Sequence, residues 1–248
     1  MPRFFIRQDQ ISCVNDEKTV LITGDDAHHI SFSLRMKPKE KISVCDMQKN
    51  VYFCEIEKID SSSVLCKVIS EEKIDIESEL KIYLYQALPK FDKFETIIQK
   101  SIECGVYEII PFSSERCIAK IDARDVDKKR ERFLKISESA AKQSGRTFIP
   151  DVKPIMNFKE AIEEAAKCDI SLFCYEGEES LSIKKALEQS EKPKTISIVI
   201  GSEGGFSKKE VEFAKASGMK IVGLGKRILR CETAPIFALS CVSYAFEL

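Results

Sequence analysis

Two histidines, side by side at positions 28 and 29, are the only imidazoles in this sequence of 248 residues. Its ten cysteines lie at 13, 45, 54, 66, 104, 117, 168, 174, 231 and 241, and no two of them form a C-x-x-C pair. Zinc-ligand spacing is therefore absent, and no metal is expected. Most of the cysteines fall inside apolar strand or helix patterns and read as small buried hydrophobes in a reducing cytoplasm. No stretch approaches the roughly 20 apolar residues of a membrane span. The opening Met1-Pro2-Arg3-Phe4-Phe5-Ile6 gives way to polar residues, unlike a secretory leader. Also missing are G-x-G-x-x-G and a glycine loop ending in Lys-Ser/Thr, which leaves a dinucleotide or nucleoside triphosphate site weakly supported.

What is present is an ordinary globular composition, 44% hydrophobic and 32% charged, long enough for one large domain or two modest ones. The formal net charge of −1 hides an uneven distribution. Residues 1–72 carry ten Lys and Arg against twelve Asp and Glu, whereas residues 115–150 carry ten against six. That one basic concentration reads either as a patch for a polyanion or as a solvated helix face laced with i,i+4 ion pairs.

Along the chain, residues 1–72 have the texture of short strands with turns. Residues 41–45 alternate, and 50–59 with 63–69 form a hairpin pattern through Asp60-Ser61-Ser62. A helical piece over 25–34 starts on acidic residues and stops before Pro38. His28 and His29 read as helix-face residues, and the whole suggests a small β-barrel of the kind used to bind RNA. A charged, patternless stretch at 71–79 is the candidate linker. From Leu80 the pattern turns α/β: strands at 81–87, 106–111 and 169–175, and helices at 92–103, 126–144, 157–167 and 180–189. The expected domains are 1–72 and 73–248.

The stretch 195–235 organises the second half. A β-branched run (Ile196, Ile198, Val199, Ile200) enters a loop with Gly201, Gly204 and Gly205. Ser207 and Glu210 then stand at capping-box spacing. A strand at 220–224 opens into a second loop with Lys226, Arg227 and Arg230 interleaved among Leu224, Ile228 and Leu229. Two adjacent strand ends, each opening into a glycine-containing loop, are where an open α/β sheet binds ligands. The three glycines read equally as a tight turn or as room for close ligand approach. The second loop, apolar with free main-chain groups, suits a flat base. Arg230 beside Glu232 reads as a functional pair or as a helix-capping ion pair. The last helix, 233–246, has Thr233 as its cap residue and Pro235 in its first turn. It is apolar enough to require burial, in the domain or against another subunit.

These segments resemble the ribosomal RNA small subunit methyltransferase E family, of the SPOUT class of knotted methyltransferases. The likeness is collinear over nearly the whole chain. It runs through P-R-F-F-I at 2–6, H-H-I at 28–30, L-R-M-K at 34–37, Q-A-L-P-K at 86–90 and K-F-E-T-I-I-Q-K at 93–100. It continues through I-I-P-F-S-S-E-R at 109–116 and A-A-K-Q-S-G-R at 140–146. It is strongest at I-G-S-E-G-G-F-S (200–207) and L-G-K-R-I-L-R-C-E-T-A-P (224–235). Three positions depart from the family pattern: Ser202 where proline is usual, Phe91 where glycine is usual, and Cys231 where threonine or valine is commoner.

The resemblance implies a PUA-like barrel followed by a SPOUT α/β domain with a C-terminal trefoil knot, which general topology rules disfavour. It implies a homodimer that uses S-adenosylmethionine to methylate N3 of a uridine in 16S ribosomal RNA near the decoding site. The cofactor would contact Tyr175 and Glu176 in one loop; Ile200, Gly201, Glu203, Gly204 and Gly205 in the next; Leu224, Gly225, Ile228 and Leu229 in the third; and Thr233 and Ala234 beyond it. Arg230 would stabilise the uridine anion, with Glu232 positioning it or acting as base. RNA would be held by Arg3, Arg7, Arg35 and Lys37 from the barrel and by Arg116, Arg132 and Arg146 from the basic stretch. A knotted ribose 2′-O-methyltransferase and a non-catalytic RNA-binding assembly protein are the alternatives.

Overall fold

The computed structural model describes residues 1–14, 17–74, 76–118, 125–177, 181–188 and 192–248, with the side chain of Phe91 excluded. Lys120 and Arg124 of the basic stretch lie outside the described residues, as do Asp75 of the candidate linker and Ser180 and Gln189 at the ends of a predicted helix. The chain forms two compact units, Met1–Glu77 with Ala141–Ile149, and Ser78–Ala140 with Pro150–Leu248.

The first unit is built on β1 (Arg3–Phe5), β2 (Ile11–Val14), β3 (Glu17–Thr23), β4 (Lys41–Cys45), β5 (Asn50–Ile59) and β6 (Ser63–Lys73). They form a six-stranded sheet ordered β1-β4-β5-β6-β3-β2, antiparallel except where β1 lies parallel to β4. Closure into the expected barrel is not part of this ladder among the described residues; β1 and β2 are its two ends. Period-2 patterning sets the inward face: β3 buries Val20 and Ile22 and exposes Leu21 between them. Tyr52, Cys54 and Ile56 of β5 join that core, and register shifts at Phe53/Cys54 and Ile56/Lys58 bend the strand around it. Burial pushes the Cys54 and Cys66 thiols up to about 12, so they behave as packing groups and not as nucleophiles.

The helix expected over 25–34 is two pieces. An α-helical turn, α1 (Gly24–His28), passes into a π-helical turn, His29–Ser33, closed by the Leu34 amide donating to the His29 carbonyl at 2.9 Å. Ile30 is its buried anchor.

In the second unit, β7 (Lys81–Ala87), β8 (Glu108–Ser113), β9 (Asp151–Val152), β10 (Met156–Asn157), β11 (Ile170–Cys174), β12 (Leu181–Ser182), β13 (Thr195–Ile200) and β14 (Lys220–Gly223) form one sheet. Every pairing in it is parallel, in the order β10-β8-β7-β13-β11-β14-β12, with β9 also on β8. Sheets of this kind are covered on both faces, so their strands read as unbroken apolar runs. That is the pattern of β13, whose last five residues are all buried. The helices are α2 (Phe91–Glu103), α3 (Val126–Ser144), α4 (Phe158–Ala165), α5 (Ile183–Glu188), α6 (Lys208–Ala216) and α7 (Ala234–Phe246). The two-residue strands β9, β10 and β12 carry no local pattern and were not anticipated.

Local signals explain the helix starts. Asn157 and Ser207 cap α4 and α6 with reciprocal Glu160 and Glu210 contacts, the spacing read from the sequence for α6. Thr233 does not cap α7: its side chain accepts no bond. The Thr233 and Ala234 amides instead both donate to the Arg230 carbonyl at 2.9 Å. Ala234, Pro235, Ala238, Leu239 and Val242 form the buried stripe of α7, while Phe237 and Tyr244 remain exposed. Burial of this helix within the chain is therefore one-sided.

Candidate active site

Strands β13, β11 and β14 are consecutive in the sheet, so the loops at their carboxyl ends open side by side. Between them lies a cavity of about 660 Å³, within the usual range for small-molecule sites. Tyr175 and Glu176 line it from the loop after β11, and Ile200, Gly201, Glu203, Gly204 and Gly205 from the loop after β13. Leu224, Gly225, Ile228, Leu229 and Arg230 line it from the loop after β14, and Ala234 from the start of α7. Thr233 and Glu232 do not line it.

The glycine loop is held open by contacts from distant parts of the chain. The Gln86 side-chain amide donates to the Gly201 carbonyl at 3.2 Å, and the Arg116 guanidinium to the Gly204 carbonyl at 3.1 Å. A Cβ on Gly204 would lie 2.9 Å from the Arg116 Cβ and 3.1 Å from its carbonyl oxygen. Only glycine admits that approach, so Gly204 is required there by the chain's own Arg116. Glu210, itself buried, accepts from the Ser207 amide and from the Glu115 amide, both at 2.8 Å, so one carboxylate ties α6 to the loop after β8. The Ser202 hydroxyl is buried without a hydrogen-bond partner.

Lys93, on α2, was not anticipated in the site. It lines the cavity and places its ammonium 3.0 Å from Glu203 and 3.7 Å from Glu232. The hydrogen bond to Glu203 raises its pKa, against partial desolvation. Desolvation pushes both carboxyls up. Glu203 is nevertheless held below its ordinary value by its own amide, Lys93 and the Lys90 amide, and Glu232 by its own amide, the Cys231 thiol, Lys93 and Arg230. Both are ionised at neutral pH. Burial and the Glu232 contact push the Cys231 thiol up to about 12, which excludes it as a nucleophile at neutral pH.

Arg230 differs from its neighbours. Its guanidinium is 83% exposed and only 4.0 Å from Glu232, a loose pair, while its main chain is fixed by the two amides of the α7 turn. A cation on an anchored backbone with a free head is available to a ligand. Arg227, Cys174, Gly177, Phe206 and Gly223 also line the cavity; no local signal separates them from structural neighbours.

The other cations read as RNA contacts are scattered. Arg7, Arg35 and Lys37 are exposed, Arg7 beside Asp9. Arg132 pairs with Glu95 at 2.7 Å. Arg3 is half-buried and donates to the Gly145 carbonyl. Arg146 is buried, its guanidinium 2.8 Å from Glu77, which also accepts from the Thr147 amide at 2.7 Å. A side chain so enclosed is a clamp within the first unit, and the expectation of an RNA contact at Arg146 is not met.

The chain matches two family models, an RNA methyltransferase PUA domain over residues 22–69 and an RNA methyltransferase domain over residues 76–243. It is 36% identical to the ribosomal RNA small subunit methyltransferase E of Bacillus subtilis, covering 100% of this chain and 98% of that one. It is 32% identical to the protein of the same name from Mesomycoplasma hyopneumoniae, over 97% and 98%. Among solved structures, the Neisseria gonorrhoeae ribosomal RNA small subunit methyltransferase E bound to S-adenosylmethionine superposes with a TM-score of 0.86 at 30% identity, covering 99% of this chain and 98% of that one.

Proposed function

The chain belongs to the ribosomal RNA small subunit methyltransferase E family, and on that premise we propose that it methylates N3 of a uridine in 16S ribosomal RNA near the decoding site, using S-adenosylmethionine. The observation that carries this reading is Arg230, an exposed cation on a fixed backbone in the lining of the cavity. The reading extends to a homodimer working in the cytoplasm, a PUA-like first unit closed as a barrel, and a second unit with a trefoil knot.

The cavity suits the cofactor. Leu224, Ile228 and Leu229 present an apolar wall, and Ile228 is left 79% exposed, a residue whose methyls gain by covering a flat base. When bound, S-adenosylmethionine supplies an electrophilic methyl carbon. This chain's residues then have to position the uridine and favour its N3 anion. Arg230 does the second by charge, since a nearby cation stabilises the deprotonated form. Glu232 is a poor base, because its pKa is depressed. Its role is to orient Arg230, and Lys93 fixes Glu232 and Glu203 together. Rigid loops supply the alignment. For RNA, the exposed Arg7, Arg35, Lys37, Arg116 and Arg132 remain the proposed contacts, with Arg3 and Arg146 withdrawn because one is half-buried and the other buried.

The test is mass spectrometry of nucleosides from small-subunit RNA incubated with the protein and S-adenosylmethionine. A methyl on uracil N3 supports the proposal. A methyl on a ribose 2′-oxygen, or no transfer despite cofactor binding, overturns it.

A further inference from the structure

The first unit carries a feature that the cofactor cavity does not use. His28 and Phe32 stack with ring centroids 4.5 Å apart at 24°, and Phe32 is 59% exposed. His28 is exposed as well, and Leu34 follows at 42%. Single exposed apolar side chains are ordinary, but grouped ones mark contact surfaces, and here Phe32 and Leu34 stand together with the His28 ring. Phe32 sits on the π-helical turn His29–Ser33, between His28 at the end of α1 and Leu34, and the turn's buried anchor is Ile30; π turns recur at functional sites.

The chain that leaves this turn is cationic and stiff. Arg35, Lys37, Lys39 and Lys41 are all exposed, against the single acid Glu40. Glu40 is turned onto the Lys37 amide at 2.7 Å, so its charge is engaged within the loop. Arg35 and Lys39 hold φ of +51° and +76°, a region that side-chain-bearing residues seldom adopt. The strain persists because the Met36 amide donates to Ile30 and the Lys39 amide to Ile56, at 3.0 and 2.7 Å. Of the acids on α1, Asp26 is paired with Lys142 at 2.6 Å. An exposed ring stack beside a rigid row of cations matches a single-stranded nucleic acid: bases stack on the ring, phosphates follow the cations.

We infer that Phe32, backed by His28 and flanked by Arg35, Lys37 and Lys39, is a stacking platform for an unpaired base of the substrate RNA. The inference rests on the reading of the protein as an RNA methyltransferase. It adds to that reading a second contact point that selects unpaired strand over duplex, since a base can lie on Phe32 only when it is out of the helical stack.

The test compares the full-length wild type with Phe32→Ala, Phe32→Tyr and Arg35→Gln/Lys37→Gln, by anisotropy of a labelled single-stranded oligouridylate and of the same strand annealed into duplex. Phe32→Ala is expected to lose about tenfold in single-strand affinity, the scale of one stacked base, with duplex affinity unchanged. Phe32→Tyr keeps the ring and stays within about twofold of wild type. The double charge variant weakens both and flattens the salt dependence by about two phosphate contacts. S-adenosylmethionine affinity, measured on each variant, reports an intact second unit. If Phe32→Ala binds single strand like wild type while wild type still methylates ribosomal RNA, the platform is overturned and the enzyme reading stands. If wild type transfers no methyl yet Phe32→Ala loses single-strand binding, the enzyme reading falls and the platform stands.

Discussion

Of the arginine–glutamate pairs among the described residues, two stand at opposite extremes of enclosure. In the first unit, Arg146 and Glu77 are 9% and 14% exposed at the side chain, 2.8 Å apart, with the Thr147 amide completing the carboxylate's shell. In the second, Arg230 and Glu232 are 83% and 23% exposed and 4.0 Å apart. A tight enclosed pair has no spare bonding capacity and can only hold the fold together. A loose pair with an open cation costs the fold little to disturb and leaves its charge for a ligand. Exposure and separation, not residue type, divide the enclosed pair from the open one.

The sharpest way to break this comparison is to remove one cation from each pair's function. Arg230→Ala is expected to slow methyl transfer at saturating RNA by about a hundredfold, the scale for losing one charge-stabilising donor. Its unfolding free energy should move by less than about 0.5 kcal/mol. Single-turnover rates and urea unfolding read the two effects, and an unchanged rate would remove Arg230 from the mechanism. Glu77→Gln should do the reverse. It leaves the Arg146 guanidinium enclosed without its counter-charge, and urea unfolding should show a loss of about 3 kcal/mol. Transfer per folded molecule should be near normal.

A third experiment uses pH. The ionised forms of Glu203 and Glu232 are favoured in the fold, so their contribution is complete above the ordinary 4.5 and fades as pH falls through their depressed values. Lys93 is raised, so its contribution is complete below the ordinary 10.5 and fades as pH rises through its folded value. Cofactor affinity by calorimetry should therefore be flat between about pH 6 and about pH 9. The transfer rate should climb over the same interval as N3 loses its proton. A cofactor affinity that falls within that interval would show that Lys93 and Glu203 do not set the charge of the cavity lining. The smallest effect is expected from Ser202→Pro, which removes the unpartnered hydroxyl and stiffens the loop. A gain of about 0.5 kcal/mol in unfolding free energy would support it; a loss would show that the Ser202 backbone is incompatible with proline.

Much of the fold could be read from one-dimensional pattern. Strand β5 and helix α3 have the ends that alternation and the Gly145 stop marked, and β7 the ends that its apolar run marked. Two of the cavity's three loops, those after β13 and β14, were legible because glycines and apolar residues cluster at their strand ends; the loop after β11 came only from the family resemblance. What stayed hidden depends on contacts distant in sequence. Lys93 looks like any solvent-facing lysine until the fold brings Glu203 and Glu232 to it. The K-F-E-T-I-I-Q-K likeness covered the position without giving it a role. Arg146 stood in a basic stretch and read as an RNA contact, because nothing local reveals that Glu77 encloses it. The Thr233 cap failed for a local reason: Thr233 holds helical dihedrals (φ −90°, ψ −35°) and not the extended ones of a capping residue, and Pro235, two positions on, has no amide to offer.

The bonds that hold the glycine loop open span 115 residues from Gln86 to Gly201, 88 from Arg116 to Gly204 and 95 from Glu115 to Glu210. Each is a closure of a long stretch of chain, and such closures slow folding because the entropy is lost before the contact forms. During synthesis, with the amino end leading, Gln86 and Arg116 emerge long before their partners exist. The first unit's strands β1–β6 are complete far earlier, and only its Ala141–Ile149 segment waits. A nascent chain thus completes the strands of its first unit while the cavity between β13, β11 and β14 still lacks its walls, and that cavity is among the last parts of the protein to come into being.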